Sequence, residues 1–164
     1  MEKVLKASTD EIFISNFRSH GRVDIRIENH ILYSDAYGPF NAELIHALVR
    51  TQQTLIAKAG LSGPLGEVIR ISNSALAGRD VVDIFKQAMQ QMQQGGRSRV
   101  GAAYLVAEDV EGASIMLPAI LAAYAKIGMP CRAFDSMQDA ENWVTGLLEA
   151  ERKAELPGSG TSNG

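Results

Sequence analysis

The chain has 164 residues, of which 46% are hydrophobic, and its formal net charge is −3. This length supports one hydrophobic core and is too short for two full domains. The negative charge provides no basic field to hold a phosphate backbone, so we expect no nucleic-acid partner. A single cysteine excludes an internal disulfide framework and indicates a reducing compartment. Because no long apolar run or signal peptide is present, we expect a cytoplasmic protein without an integral membrane segment.

The N-terminal residues 1–19 are predicted to form an extension ahead of the domain. Ser8 and Glu11 have the spacing of a helix capping box, whereas the alternation from Ile12 to Ser15 would also suit a strand. We favour a short helix over residues 8–17. Its apolar side chains must be covered either by the same chain or by a second copy, so a homodimer remains an alternative.

A β-hairpin is predicted at the start of the domain. Val23, Ile25 and Ile27 alternate with charged residues, which is typical of a strand with one wet face. Asn29-His30 is the predicted turn, since asparagine tolerates positive φ, and residues 31–37 return as the second strand. The pattern thus predicts that His30 is a turn residue and not a catalytic residue.

Strand and helix signals alternate over the next part of the chain. Asn41 is the predicted N-cap of a first helix that ends at Gly60. Residues 67–72 form a predicted strand, and a second helix runs from about Asp80 to the glycine pair at 95–96. This alternation is typical of a parallel sheet whose strands are joined by crossover helices.

The segment from Val100 to Trp143 is the clearest unit of the sequence. Residues 100–107 are an apolar run, typical of a strand that is covered on both faces. An apolar helix follows from Ala113, residues 131–134 form another strand, and Ser136 caps the last helix. We therefore predict one α/β domain over residues 20–150, a two-layer sandwich with a mixed, mostly parallel sheet and about four main helices. Residues 151–164 are predicted to be a helix end and a flexible tail.

Three phrases of the sequence together resemble a known family. They are Asp35 to Asn41 at the entry to the first helix, Val100 to Ala107, and Cys131 to Asp135 leading into Trp143. Over about residues 20–148 the chain resembles the bacterial SpoIIAA-like proteins, relatives of the STAS and CRAL-TRIO (Sec14) domains. The resemblance implies a small α/β sandwich that binds a partner protein or an elongated apolar ligand, usually without catalysis, and we expect no cofactor.

The resemblance also implies an alternative function, a regulatory protein-interaction switch. STAS anti-sigma antagonists are controlled by phosphorylation of a serine in an Asp-Ser-x-Gly motif after the third strand. At this place the chain offers Ser72 and Ser74 but lacks the preceding aspartate. Phosphorylation of Ser72 or Ser74 by a kinase is the alternative prediction. The ordinary role of such serines is to form hydrogen bonds in turns or helix caps.

Catalysis and metal binding are not predicted. His20, His30 and His46 lack the spacing of metal ligands. Cys131 stands at the start of a strand, where a thiol is most often an inert core side chain. We expect no enzyme.

A non-catalytic binding module is the preferred prediction. The helices that begin at Asn41 and at Ala113 carry more apolar surface than one packed face requires. We expect them to enclose a site for a lipid-like small molecule or a regulatory partner protein, with tyrosine hydroxyls at its mouth. The predicted ligand-binding residues are Tyr33, Tyr37, Ile45, Val49, Leu117, Leu121 and Tyr124.

Overall fold

The computed structural model describes residues 4–11, 20–94 and 99–156. Within these ranges, six strands form one mixed sheet and four α-helices pack on it, so the α/β class and the four main helices are confirmed. The strands are β1 Leu5–Ser8, β2 Arg22–Glu28, β3 Ile31–Tyr37, β4 Leu65–Ser72, β5 Arg99–Val106 and β6 Cys131–Phe134. The helices are α1 Ala42–Ala59, α2 Arg79–Gln94, α3 Ala113–Lys126 and α4 Met137–Glu155. No helix among the described residues has the length and apolar character needed to cross a bilayer.

The strands lie in the sheet in sequence order, from β1 at one edge to β6 at the other. β2 runs antiparallel to both of its neighbours, and β3 to β6 are mutually parallel. The hairpin between β2 and β3 turns at Asn29 and His30, whose φ angles are 51° and 61°. Two successive positive φ values are what a two-residue type I′ turn requires, so His30 is a turn residue as predicted.

The N-terminal segment belongs to the sheet. β1 pairs with β2, and a single 3₁₀ turn follows at Thr9–Glu11. Thr9 is buried, and its hydroxyl accepts a hydrogen bond from the backbone N–H of Val23 at 2.9 Å. The domain therefore begins ahead of the predicted boundary at residue 20. Most of the predicted helix over 8–17 and the predicted tail from residue 157 lie outside the described residues.

Helices cover both faces of the sheet, which makes three layers where the sequence predicted two. α1, α2 and α3 pack on one face, whereas α4 buries Ala140, Val144 and Leu148 against the other. Right-handed crossovers that advance in one direction place their helices on the same side of a sheet. No further strand follows α4 in the described chain, so this constraint does not apply to it.

Two glycines allow α4 to lie close to the sheet. A Cβ atom at Gly66 would overlap the side chain of Val144, and one at Gly101 would lie 2.6 Å from the side chain of Leu147. Glycine within a strand often marks such a close approach of another element. These two positions therefore set the distance between α4 and the strands β4 and β5.

Candidate binding cavity

A cavity of about 130 Å³ lies between the sheet and the helices α1, α2 and α3. Its wall is mainly apolar and includes Val49 of α1, Phe85 and Met89 of α2, and Ile120 of α3. The volume is close to that of an engineered apolar cavity of ~150 Å³ that binds benzene in another protein. The space is therefore large enough for one small molecule.

The position of α2 explains why the space is there. α1 packs on β2 and on α2, whereas Val81 and Met89 are the only buried residues of α2. Small side chains line much of the space between the helices and the sheet, and their size leaves room there. The lining alanines are Ala36, Ala75, Ala77, Ala88, Ala119 and Ala123.

A buried ion pair lines the same cavity. Arg99 of β5 donates from Nε to Oε1 of Glu67 on β4 at 2.7 Å, and the two side chains are 4% and 8% exposed. Each charge makes the burial of the other tolerable, since an unpaired ion in this place would be strongly destabilising. The sequence pattern does not reveal this pair, because only the parallel alignment of β4 with β5 brings the two residues together.

Two tyrosines from different elements also meet at this cavity. The hydroxyl oxygens of Tyr104 on β5 and Tyr124 on α3 are 3.1 Å apart, and their rings pack edge to face. Burial raises the pKa of both phenols well above its ordinary value, and the charge of Glu67 adds to this. Both hydroxyls therefore stay neutral. Only one proton can lie between them, so the pair leaves one O–H hydrogen unused.

Two further polar side chains face the cavity. Gln52 of α1 and Ser34 of β3 line it and are 7% and 6% exposed. Among the hydrogen bonds of the described residues, none involves either of these side chains. Neither side chain contributes a fully enclosed polar atom without a partner, since His30 Nδ1 is the one such atom among the described residues. The polar atoms of Gln52 and Ser34 are therefore open to water or to another molecule in the cavity.

Three of the seven predicted ligand-binding residues line this cavity, namely Ile45, Val49 and Tyr124. Leu117 packs half-buried against the main core instead, and Leu121 lies half-buried on α3 outside the lining. Both helices that the helical period singled out, α1 and α3, contribute residues to the wall of this cavity. It does not specify which of two apolar faces of α3 points inward.

Tyr33 and Tyr37 lie on the opposite face of the sheet from the cavity. The guanidinium of Arg26 is 3.8 Å from the centre of the Tyr33 ring, and burial, with a smaller effect of Glu141, raises the pKa of Tyr33 to about 12. Tyr37 is 40% exposed. A signal for this placement was present in the sequence, because a two-residue turn at 29–30 pairs Tyr33 with Arg26 on the charged face of β2.

The two candidate phosphorylation sites lie at the end of β4. Ser74 is 2% exposed, and its Oγ accepts a hydrogen bond from the backbone N–H of Leu76 at 3.2 Å. Ser72 is the last residue of β4 and is half-buried. Ser74 thus has the turn role that is ordinary for serine. Phosphorylation of either residue stays a prediction.

The remaining reactive groups are the thiol of Cys131 and the side chains of the types that bind metal ions. Burial, with a contribution from Glu67, raises the pKa of Cys131 to about 12, so the thiol is protonated at neutral pH. In the part of the chain that the structure describes, no three His, Cys, Asp or Glu side chains are grouped so that they could hold a metal ion.

Comparison of the chain with protein-family models, with curated proteins and with solved structures found no match in any of the three. The resemblance to the SpoIIAA-like proteins therefore stays a prediction. What the structure establishes is an α/β protein with helices on both faces of a six-stranded sheet.

Proposed function

We propose that this protein is a non-catalytic binding module that takes a small apolar molecule into the cavity beneath α2. The cavity is the observation that carries the proposal, because its mainly apolar wall encloses about 130 Å³ that a small molecule can occupy. The sequence resemblance to a family of binding domains supports the same function.

The volume limits the size of the ligand. Pockets that enclose drug-sized molecules measure ~300–1,000 Å³, which is well above the volume found here. A molecule near the size of one aromatic ring fits without movement. A whole lipid-like molecule would require α2 to move away from the sheet, so the ring-sized ligand is the one that we propose.

The titratable groups around the cavity support binding rather than catalysis. The opposite charges of Glu67 and Arg99 are paired with each other. Burial keeps the hydroxyls of Tyr104 and Tyr124 protonated. A general base or a nucleophile would need a pKa matched to neutral pH. The phenols are far from that condition.

Native mass spectrometry of the freshly purified protein tests the proposal. We expect one small molecule per chain, or uptake of one toluene molecule by a ligand-free sample. Val49→Phe should abolish this uptake, because the added ring occupies space that the cavity offers. Leu121→Phe is the matched control, since it introduces the same phenylalanine side chain at a half-buried position outside the lining.

Two results would contradict the proposal. One is a chain that carries no ligand and takes up no toluene at any concentration. The other is equal loss of toluene uptake in Val49→Phe and Leu121→Phe, which would place the bound molecule somewhere other than the cavity.

A further inference from the structure

We infer that the cavity selects an uncharged, ring-sized ligand that carries one hydrogen-bonding group, of which a hydroxyl is the simplest. This inference rests on the proposed function, because it concerns the chemistry of the molecule that enters the same cavity. A purely apolar ligand would fill the space and would leave the polar groups of the wall without partners.

The wall of the cavity has unused hydrogen-bonding capacity. The side chains of Gln52 and Ser34 are more than nine-tenths buried, line the cavity and make no hydrogen bond with the described protein. The tyrosine pair contributes one further O–H hydrogen that its own contact leaves unused. The groups that await a partner thus include both donors and acceptors. A ligand hydroxyl, which can donate and accept, matches this set.

The charged side chains in the wall of the cavity neutralise each other. Glu67 and Arg99 are paired at 2.7 Å, so this part of the cavity carries no net charge. A carboxylate ligand would compete with Glu67 for the guanidinium, and an ammonium ligand would compete with Arg99 for the carboxylate. Either would leave an uncompensated charge away from water, which is costly. The wall therefore favours a neutral ligand.

Ordered water is the competing occupant. Water molecules in the cavity would satisfy Gln52 and Ser34, and a ligand hydroxyl has to replace such a molecule bond for bond. If water is the natural occupant, a phenolic ligand gains nothing over its apolar counterpart. The comparison of two ligands of the same shape therefore separates these cases.

The test is an NMR titration of the full chain with phenol, toluene and benzoate, which have nearly the same shape. We expect phenol to bind about tenfold more tightly than toluene, since its hydroxyl pairs with groups that toluene leaves unsatisfied. Benzoate should bind more weakly than phenol. Amide shifts should be confined to residues that line the cavity.

The variant Gln52→Leu removes the amide while keeping a side chain of similar length. It should lower the preference for phenol over toluene about tenfold and leave toluene binding within about twofold of the parent. The control is Gln53→Leu, which makes the same change at the adjacent exposed position and should alter neither affinity. If Gln52→Leu does not fold, Ser34→Ala provides the same measurement from β3.

The outcomes separate this inference from the proposed function. Toluene that binds as tightly as phenol, benzoate that binds more tightly than phenol, or an unchanged preference in Gln52→Leu overturns the inference and leaves the binding module standing. Failure of all three probes to bind the cavity overturns both. The expected pattern supports both.

Discussion

The ion pair of Glu67 and Arg99 is the residue-scale feature with the largest expected effect on stability. Arg99→Met leaves the Glu67 carboxylate buried without its partner, and we expect this to lower the free energy of unfolding by ~3–5 kcal/mol. Glu67→Met combined with Arg99→Met should restore most of the loss, because two unbranched apolar side chains fill the same space without any charge. Urea unfolding of the single and double variants measures both effects.

An exposed ion pair on the same sheet is the control. Arg70 and Asp35 are also 2.7 Å apart, but their side chains are 52% and 33% exposed. Arg70→Met should therefore cost less than ~1 kcal/mol, because water solvates the carboxylate that is left behind. Similar costs for Arg70→Met and Arg99→Met, or a double variant whose loss is the sum of its two single variants, would contradict the argument from burial.

At the scale of elements, α2 is weakly anchored. It buries two of its 16 residues, whereas α1 buries seven of its 18. An element with few buried contacts opens locally at low cost in free energy, so we expect the backbone amides of α2 to exchange with solvent faster than those of α1. Hydrogen-exchange mass spectrometry checks this, and a bound probe such as phenol should slow the exchange in α2.

The control for this prediction is α4, which lies on the opposite face of the sheet and does not line the cavity. Its exchange rate should not respond to phenol. Equal protection of α2 and α4 by phenol, or exchange in α2 as slow as in α1, would show that α2 is not the element that opens to admit a ligand.

At the scale of the whole molecule, burial of neutral phenols predicts alkaline unfolding. The folded pKa values of Tyr104 and Tyr124 lie above the ordinary phenol value of 10.0, so the unfolded chain loses these protons first as pH rises. The unfolded state then binds fewer protons than the folded state, and stability falls with pH. Each fully titrating group lowers the free energy of unfolding by ~1.4 kcal/mol per pH unit.

Stability should thus be unaffected by these tyrosines below their unfolded pKa and should decline steeply above it. Urea unfolding at about pH 8 and about pH 11 measures the decline, with tyrosinate absorbance as a second probe of the buried phenols. The double variant Tyr104→Phe with Tyr124→Phe should show a shallower decline. An unchanged slope in this variant would assign alkaline unfolding to other groups.

Interactions between residues that are close in sequence allowed the helices and strands, and several of their ends, to be predicted. Asn41 and Ser136 are N-caps as predicted, and each accepts a hydrogen bond from the backbone three residues on, at 3.1 Å. The turn at 29–30 and the alternating strand β2 could also be predicted from the sequence. Each depends on residues within a few positions of one another, so the pattern contains the whole interaction.

The residues that form the candidate site could be identified only from the tertiary structure. The cavity depends on how α1, α2 and α3 pack over the sheet. The pair of Glu67 and Arg99 depends on the alignment of two strands, and the contact of Tyr104 with Tyr124 on the packing of a helix over a strand. The sequence pattern likewise did not predict where β1 and α4 lie relative to the sheet. Periodicity along the chain determines that a side chain is buried, but which distant side chain it meets depends on how the elements pack, because that contact is made across the core.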